Sequence, residues 1–271
     1  MQLGYIVWDV NPEIFSIGGL TVRWYGLLFA LSFVIGYLIM QKIFKKEKVP
    51  QKLLDELATY MIVATVIGAR LGHTLFYEPE RYLSNPIDIL KIWEGGLASH
   101  GAAIGILVAL YIFALRSKKS YIWILDRIVI VVALAGFFIR MGNLMNSEIY
   151  GHATSLPWGF YFKNAFNPFD VDEPRHPTQL YEGLSYLAIF GYLLWHYFRK
   201  DGKPMPGYLF AIFLILVFTA RFFIEFVKEP QVGFEQDMVL NLGQLLSIPF
   251  VLLGVVILII SFRKAAKNKK Q

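Results

Sequence analysis

Four stretches of the chain hold side chains that can do chemistry, and three of them contain an arginine. Arg140, Asn143 and Asn146 or Ser147 recur every three or four residues, so a helix through them sets a guanidinium and amides on one face. Such a fork of donors fits a phosphate or a carboxylate. The plain alternative is that Arg140 snorkels toward lipid headgroups. Arg221 and Glu225 stand four apart, a spacing for an internal ion pair or for a carboxylate that orients Arg221 toward an anion. Two arginines on neighbouring helices would together hold one phosphodiester. His100 lies among Gly95, Gly96, Ala98, Gly101 and Ala102, and is read as a base, a donor or a packing residue. In the fourth stretch, Arg175 to Glu182, Pro177 fits a helix start and Glu182 requires a cationic partner, Arg140 or Arg221.

The elements that must position these groups are apolar. Of 271 residues 56% are hydrophobic and only 17% charged, against roughly a quarter charged in an ordinary soluble domain. Runs of about 20 apolar residues recur, each long enough to cross roughly 30 Å of hydrocarbon. Seven spans are expected, at about 22–43, 57–76, 96–115, 122–139, 180–198, 208–226 and 238–260. The fold class is therefore all-α: a polytopic transmembrane helical bundle, with residues 1–271 as one integral membrane domain. Because few residues remain outside the spans, the formal charge of +6 is read as a device of membrane orientation rather than of nucleic-acid binding. Sixteen Lys and Arg fall in the segments around 42–52, 116–119, 199–203 and 263–270, against six in the alternate loops. This predicts a cytoplasmic C-terminus and an N-terminus outside.

Depth is the next regularity. Tyr25, Arg70, His73, His100, Arg140, Gln179, Glu182, Arg221, Glu225 and Gln244 all fall in the outer half or at the outer end of their expected spans, while Asp126 and Arg127 stand alone at the inner end. A charge at mid-bilayer costs about 2.5–3.5 kcal/mol, so such a set needs a reason. A transport pathway would distribute polar groups through the full depth; this arrangement predicts a cavity opening toward the outer leaflet. A transporter with an outer anion site and a scaffold for other membrane proteins are the alternatives from other classes.

With no cysteine in the chain, disulfides, thiolate metal sites and a cysteine nucleophile are excluded. No metal-ligand spacing and no cofactor motif is found. Residues 1–20 lack a basic leader and are expected to be mature chain. Ile6 to Leu20, with a Gly18-Gly19 turn signal, is expected at the outer interface, anchored by Trp8. The excursion at 150–177 mixes Trp158, Phe160, Tyr161, Phe162, Phe166 and Phe169 with Asn, Pro and Asp. It is read as an extracytoplasmic arm, a lid or recognition element, or a structured loop without a role.

These motifs resemble the phosphatidylglycerol–prolipoprotein diacylglyceryl transferase family of bacteria. The matching stretches are Arg23-Trp24-Tyr25-Gly26, Gly68 to Gly72, Gly95 to Gly101, Arg140 to Asn143 with Asn146, Glu148 and Gly151, Arg175 to Glu182, Arg221 to Glu225 and Gly243-Gln244. They span most of the chain in family order. Two positions depart from the family pattern: Ala102, where a second glycine is common, and Arg23, where several family members have a different residue.

The resemblance implies an enzyme of the cytoplasmic (inner) membrane with its active site toward the outer face. It implies transfer of diacylglyceryl from phosphatidylglycerol to the lipobox cysteine of exported prolipoproteins, forming a thioether and releasing glycerol phosphate. Catalytic positions implied are His100, Arg140, Arg221, Tyr25 and Glu148. Substrate-binding positions implied or inferred are Arg140, Asn143, Gly151, Arg221, Glu225, Gln179, Glu182, Arg70 and Gln244. In this scheme the substrate supplies the thiol, His100 accepts its proton, and the two arginines meet charge developing on the departing phosphate. Tyr25 and Glu148 compete with His100 for the place nearest the thiol.

Overall fold

The computed structural model describes residues 4–165, 173–230 and 238–268. It contains eight α-helices among these residues: α1 (Trp24–Lys46), α2 (Gln51–Phe76), the short α3 (Pro79–Ser84), α4 (Ser99–Ser117), α5 (Tyr121–Met145), α6 (Thr178–Arg199), α7 (Tyr208–Ile224) and α8 (Leu242–Asn268). Four short strands accompany them: β1 (Ile6–Trp8), β2 (Glu13–Ile17), β3 (Leu20–Arg23) and β4 (Phe160–Phe162).

An all-α polytopic membrane architecture is what these elements make. Among the described residues, α1, α4, α5, α7 with the turn following it, and α8 are long and apolar enough to cross a bilayer. That is five helices where the sequence predicts seven spans. The difference lies in α2 and α6, which are long enough at 26 and 22 residues but diluted by polar groups. Asp55, Glu56, Arg70 and His73 lie on α2, and Gln179 and Glu182 on α6. The last helix also starts later than expected, at Leu242 rather than near Met238. Asn241 explains this: its Oδ1 accepts the amide of Gln244 (2.9 Å), while Gln244 Oε1 accepts the amide of Asn241 (3.1 Å). The two form a reciprocal capping box.

The chain clusters into two compact units, one made of Met1–Ile39 with Asp126–Gln271 and the other of Met40–Leu125. In the first, α6 presents a buried stripe of Gln179, Glu182, Tyr186, Ile189, Leu193 and Tyr197, the spacing of one helical face. Its N-terminal end is polar and its C-terminal end more apolar. At the N-terminal end of α7, Asp126 of α5 accepts the amides of Gly207 (2.7 Å) and Phe210 (2.9 Å), satisfying donors that the first turn leaves open.

Ends of helices are set by backbone geometry as much as by composition. Lys48 and Asp201 take positive φ after α1 and α6, and the residues following them donate back to Phe44 and Tyr197. The same motif closes α5, where Ser147 has φ 52° and Glu148 N–H reaches Asn143 O at 3.1 Å.

The N-terminal stretch forms a hairpin, β2 with β3, turned by Gly18 and Gly19 at φ 56° and 84°. Ahead of it β1 pairs in parallel with β4, matching Ile6 to Phe160 and Trp8 to Phe162. Trp8 is thus anchored to the 150–165 segment rather than to an interface alone: it packs on Phe160 (5.4 Å) and donates to Leu144 O (3.0 Å). Leu144, Tyr150, Phe160 and Phe162 form a small apolar core there. Phe166 and Phe169, counted with the arm, lie outside the described residues.

Candidate active site

The first unit gathers most of the residues singled out from the sequence into one polar chain. Arg140, on the last turns of α5, is ion-paired through Nε with Glu182 of α6. Its Nη1 donates to Asn143 Oδ1 at 3.1 Å, one turn onward. Asn143 Nδ2 donates to Glu148 Oε1 at 2.8 Å, and Asn146 Nδ2 reaches the same oxygen at 3.3 Å. The carboxylate is brought back over its own helix by the reversal at Ser147, whose left-handed backbone sends the chain toward Asn143. Ile149 follows at φ 61°, a conformation that a β-branched residue adopts only where its surroundings impose it.

From Glu182 the network runs across to α7. Glu182 Oε1 accepts Lys228 Nζ at 3.3 Å, and Lys228 Nζ also lies 3.0 Å from Glu225 Oε1. Glu225 completes the line by pairing with Arg221 at 3.4 Å and accepting from Asn241 Nδ2 at 3.1 Å. Three cations and two carboxylates therefore alternate, Arg140–Glu182–Lys228–Glu225–Arg221. Exposure is uneven along it. The side chains of Glu182 and Lys228 are 1% and 2% exposed, whereas Arg221 retains 33%. Arg221 Nε, the atom paired with Glu225, is itself buried and makes no hydrogen bond. The terminal guanidinium is the member of the chain most open to a ligand, and the interior members hold it in place.

Lys228 and Asn241 went unrecognised in the sequence, although signals for both were present. Arg221, Glu225 and Lys228 fall at i, i+4 and i+7, a continued helical face. Asn241 and Gln244 carry the spacing of a capping box. Gln244 uses its side chain in that box and donates to Phe222 O at 3.4 Å. Gln179 donates to Glu148 O at 2.7 Å, and Thr178 donates to Ile149 O at 2.8 Å, so the start of α6 fixes the 148–149 backbone.

Two close approaches complete this unit. A Cβ at Gly142 would lie 2.7 Å from Tyr25 Cδ2, so the absence of a side chain there seats the phenol ring, which lies within the fields of Glu148 and Arg140. Gly151 is enclosed by Val227 O and, at 2.8 Å from a built Cβ, by His176 Cβ and Thr178 Cγ2. Its amide donates to His176 O at 2.8 Å and it bridges to Lys228 in antiparallel fashion. The arm begins at this knot. Farther along, His152 Nδ1 and Arg175 Nη1 share Glu229 Oε2 at 2.9 and 3.1 Å, and Trp158 Nε1 donates to Tyr181 OH at 3.0 Å.

The second unit holds Arg70 and His100. Arg70, 3% exposed, spends its donors on main-chain carbonyls: Nε on Ile89 (2.8 Å), Nη1 on Gly95 (2.5 Å) and Gly96 (3.3 Å), and Nη2 on Asp88 (2.5 Å). Tyr82 lies beneath the guanidinium at 4.9 Å. His100 is on the first turn of α4 with its side chain exposed. Among the described residues no group of three or more His, Cys, Asp or Glu is arranged to hold a metal.

Comparison with known proteins gives a consistent result. The family model for prolipoprotein diacylglyceryl transferase matches residues 12–260. A phosphatidylglycerol–prolipoprotein diacylglyceryl transferase of Tolumonas auensis is 48% identical, covering 97% of this chain and all of the relative. Proteins of the same name from Chloroherpeton thalassium and Porphyromonas gingivalis are 47% and 44% identical. They cover 98% and 97% of this chain, and 97% and 96% of their own lengths.

Proposed function

This chain belongs to the prolipoprotein diacylglyceryl transferase family, and from that premise we propose that it transfers diacylglyceryl from phosphatidylglycerol to a lipobox cysteine of exported prolipoproteins. The observation that carries the reading is the alternating ion chain ending in the part-exposed guanidinium of Arg221. An anionic phosphodiester suits that terminus, and Arg140, at the other end of the same chain, supplies a second planar fork.

The reaction needs little covalent chemistry from the protein. A thiolate sulfur of the peptide attacks the glyceryl carbon next to the phosphate, a new carbon–sulfur bond forms, and the carbon–oxygen bond breaks. The bonding pair moves to the phosphate oxygen, so glycerol phosphate departs with an added negative charge. Arg221 and Arg140 meet that charge in surroundings of low dielectric, where fixed donors are worth most. The proton of the thiol goes to His100, an exposed residue on the first turn of α4. Glu148, Asn143 and Tyr25 shape the wall beside Arg140, Gly151 allows the arm to close tightly at its root, and Glu182, Glu225, Gln179 and Gln244 hold charges and backbone in register.

Phosphatidylglycerol, prolipoproteins and the surrounding lipids are the partners. α2 and α6 complete a set of seven spans, with Arg70 of α2 and Gln179 and Glu182 of α6 buried, and the 150–177 arm lies on the extracytoplasmic side. By the basic-residue count, the N-terminus is outside the inner membrane and the C-terminus inside. Purified protein in phosphatidylglycerol nanodiscs, given a lipobox peptide, should yield a peptide heavier by one diacylglyceryl group on mass spectrometry. A cysteine-to-alanine peptide should remain unmodified. A folded, lipid-embedded sample that makes no adduct would overturn the assignment.

A further inference from the structure

The placement of Arg70 points to a role other than binding a phosphate. A guanidinium has five N–H donors. Four contacts from the three nitrogens of Arg70 run to carbonyls of Asp88, Ile89, Gly95 and Gly96. Asp88 and Ile89 belong to the 3₁₀ turn Pro86–Leu90, and their carbonyls carry the partial negative charge of its C-terminal end. Gly95 and Gly96 form the turn that leads into α4, at φ 87° and 71°. One buried cation thus gathers both ends of the 88–96 loop.

The loop leads directly to His100, and the backbone on either side of that residue is fixed to α2. Before it, Ala98 N–H donates to Ala69 O at 2.9 Å, the carbonyl adjoining Arg70. After it, Gly101 lies against the α2 backbone: a Cβ built on Gly72 would be 2.6 Å from Gly101 Cα. Gly96 is pressed on the latch itself, for a Cβ there would lie 2.9 Å from Arg70 Nη1 and 2.5 Å from His73 Cδ2. The segment from Gly95 to Gly101 therefore takes its position from residues 68–73. The imidazole stands out from it, exposed.

We propose that Arg70 is a positioning residue for His100, acting through the 88–96 loop, and is not itself a ligand of the lipid phosphate. The inference rests on the reading of His100 as acceptor of the thiol proton. It accounts for an arginine in α2 whose donors face carbonyls rather than open space. A lysine could keep the charge there but could not span the same four acceptors from one planar group.

The test compares Arg70→Lys, His100→Gln and the double variant, all full length in phosphatidylglycerol nanodiscs. Each is assayed with a lipobox cysteine peptide and with its selenocysteine counterpart, whose selenol ionises without a base. With the cysteine peptide, Arg70→Lys should lower kcat about tenfold or more, a fraction of what general bases supply, and leave KM for phosphatidylglycerol within about twofold. The loss should shrink with the selenocysteine peptide. Arg70→Lys should add little to His100→Gln, because both act on one step. Hydrogen exchange should quicken at residues 88–98 while α5 to α8 stay protected, which separates a loosened loop from an unfolded protein. A raised KM with kcat retained would make Arg70 a phosphate ligand and overturn the proposal. So would an equal loss on both peptides, or a full multiplicative loss in the double variant, with the His100 reading left intact. Near-normal turnover of His100→Gln on the cysteine peptide would instead overturn that reading, and the positioning role with it.

Discussion

Two arginines of this chain, Arg70 buried and Arg140 largely so, are solvated in opposite ways. Arg140 is compensated by a carboxylate, and its partner Glu182 is shared with a second cation, Lys228. Arg70 is compensated by neutral groups, four main-chain carbonyls and the ring of Tyr82. Carbonyl dipoles fix a cation by direction, and each is ruined by a small displacement. Carboxylates fix it by charge, and a chain of them can redistribute attraction when an anion arrives. The first arrangement suits a latch, the second a site whose charge changes during turnover.

The largest effect should come from the open end of the ionic chain. Arg221→Gln is expected to lower kcat/KM for phosphatidylglycerol about 10²–10³-fold, the usual loss when one fixed donor to a developing oxyanion is removed. Its melting temperature should scarcely move, because Arg221 is part exposed and held by one long ion pair. Initial rates measured beside a thermal melt test both halves; a large melting loss with a small rate loss would make Arg221 structural. Next, Glu182→Gln removes the carboxylate that Arg140 and Lys228 share, leaving two cations with too little compensation. Breaking a buried pair from one side costs about 3–5 kcal/mol, so this variant should unfold at markedly lower temperature or denaturant. Stability unchanged within error would mean that water already compensates those cations.

Gly96→Ala probes the other arginine without touching any charge. Its Cβ would press on His73 and Arg70 from a residue at φ 71°, and the strain should cost about 1–3 kcal/mol. The damage should appear as faster hydrogen exchange in 88–98, with the α5–α8 segments unaffected; protection retained at 88–98 would show that the loop adapts. The smallest effect concerns pH. Burial, helped by the charge of His152, holds His176 below the ordinary imidazole value of 6.5. The unfolded chain therefore binds more protons in that range, so stability at the arm is full above about 6.5 and falls as pH drops toward the folded-state value. His176→Gln should flatten this slope in melts from pH 7.5 to 5; an unchanged slope would assign it elsewhere.

What the sequence made legible follows from period and depth. Long apolar runs cannot be hidden, and the seven expected segments each coincide with a helix. Arg140, Asn143, Glu182, Arg221 and Glu225 do meet, because helical spacing and the cost of buried charge leave few alternatives. In the sequence Lys228 falls among the loop charges, since a lone lysine past the end of a span looks like any headgroup contact. Its burial is decided by Glu182, 46 residues away. Arg70 counts among the substrate-binding positions in the sequence because composition reports a charge and never its partners. Carbonyls from a loop some 20 residues onward leave no mark in side-chain pattern. The hydrogen-bonded turn at Ser147 was equally silent, as neither Ser nor Ile announces a left-handed backbone.

The bond between Asp126 and the start of α7 gains meaning from arithmetic. Arg140 follows Asp126 by 14 residues, and Arg221 follows Gly207 by the same number. At 1.5 Å per residue both guanidinium-bearing turns stand about 21 Å above that single tie. α5 and α7 are thereby rulers with a common zero, and the carboxylate at their foot levels two charges it never touches.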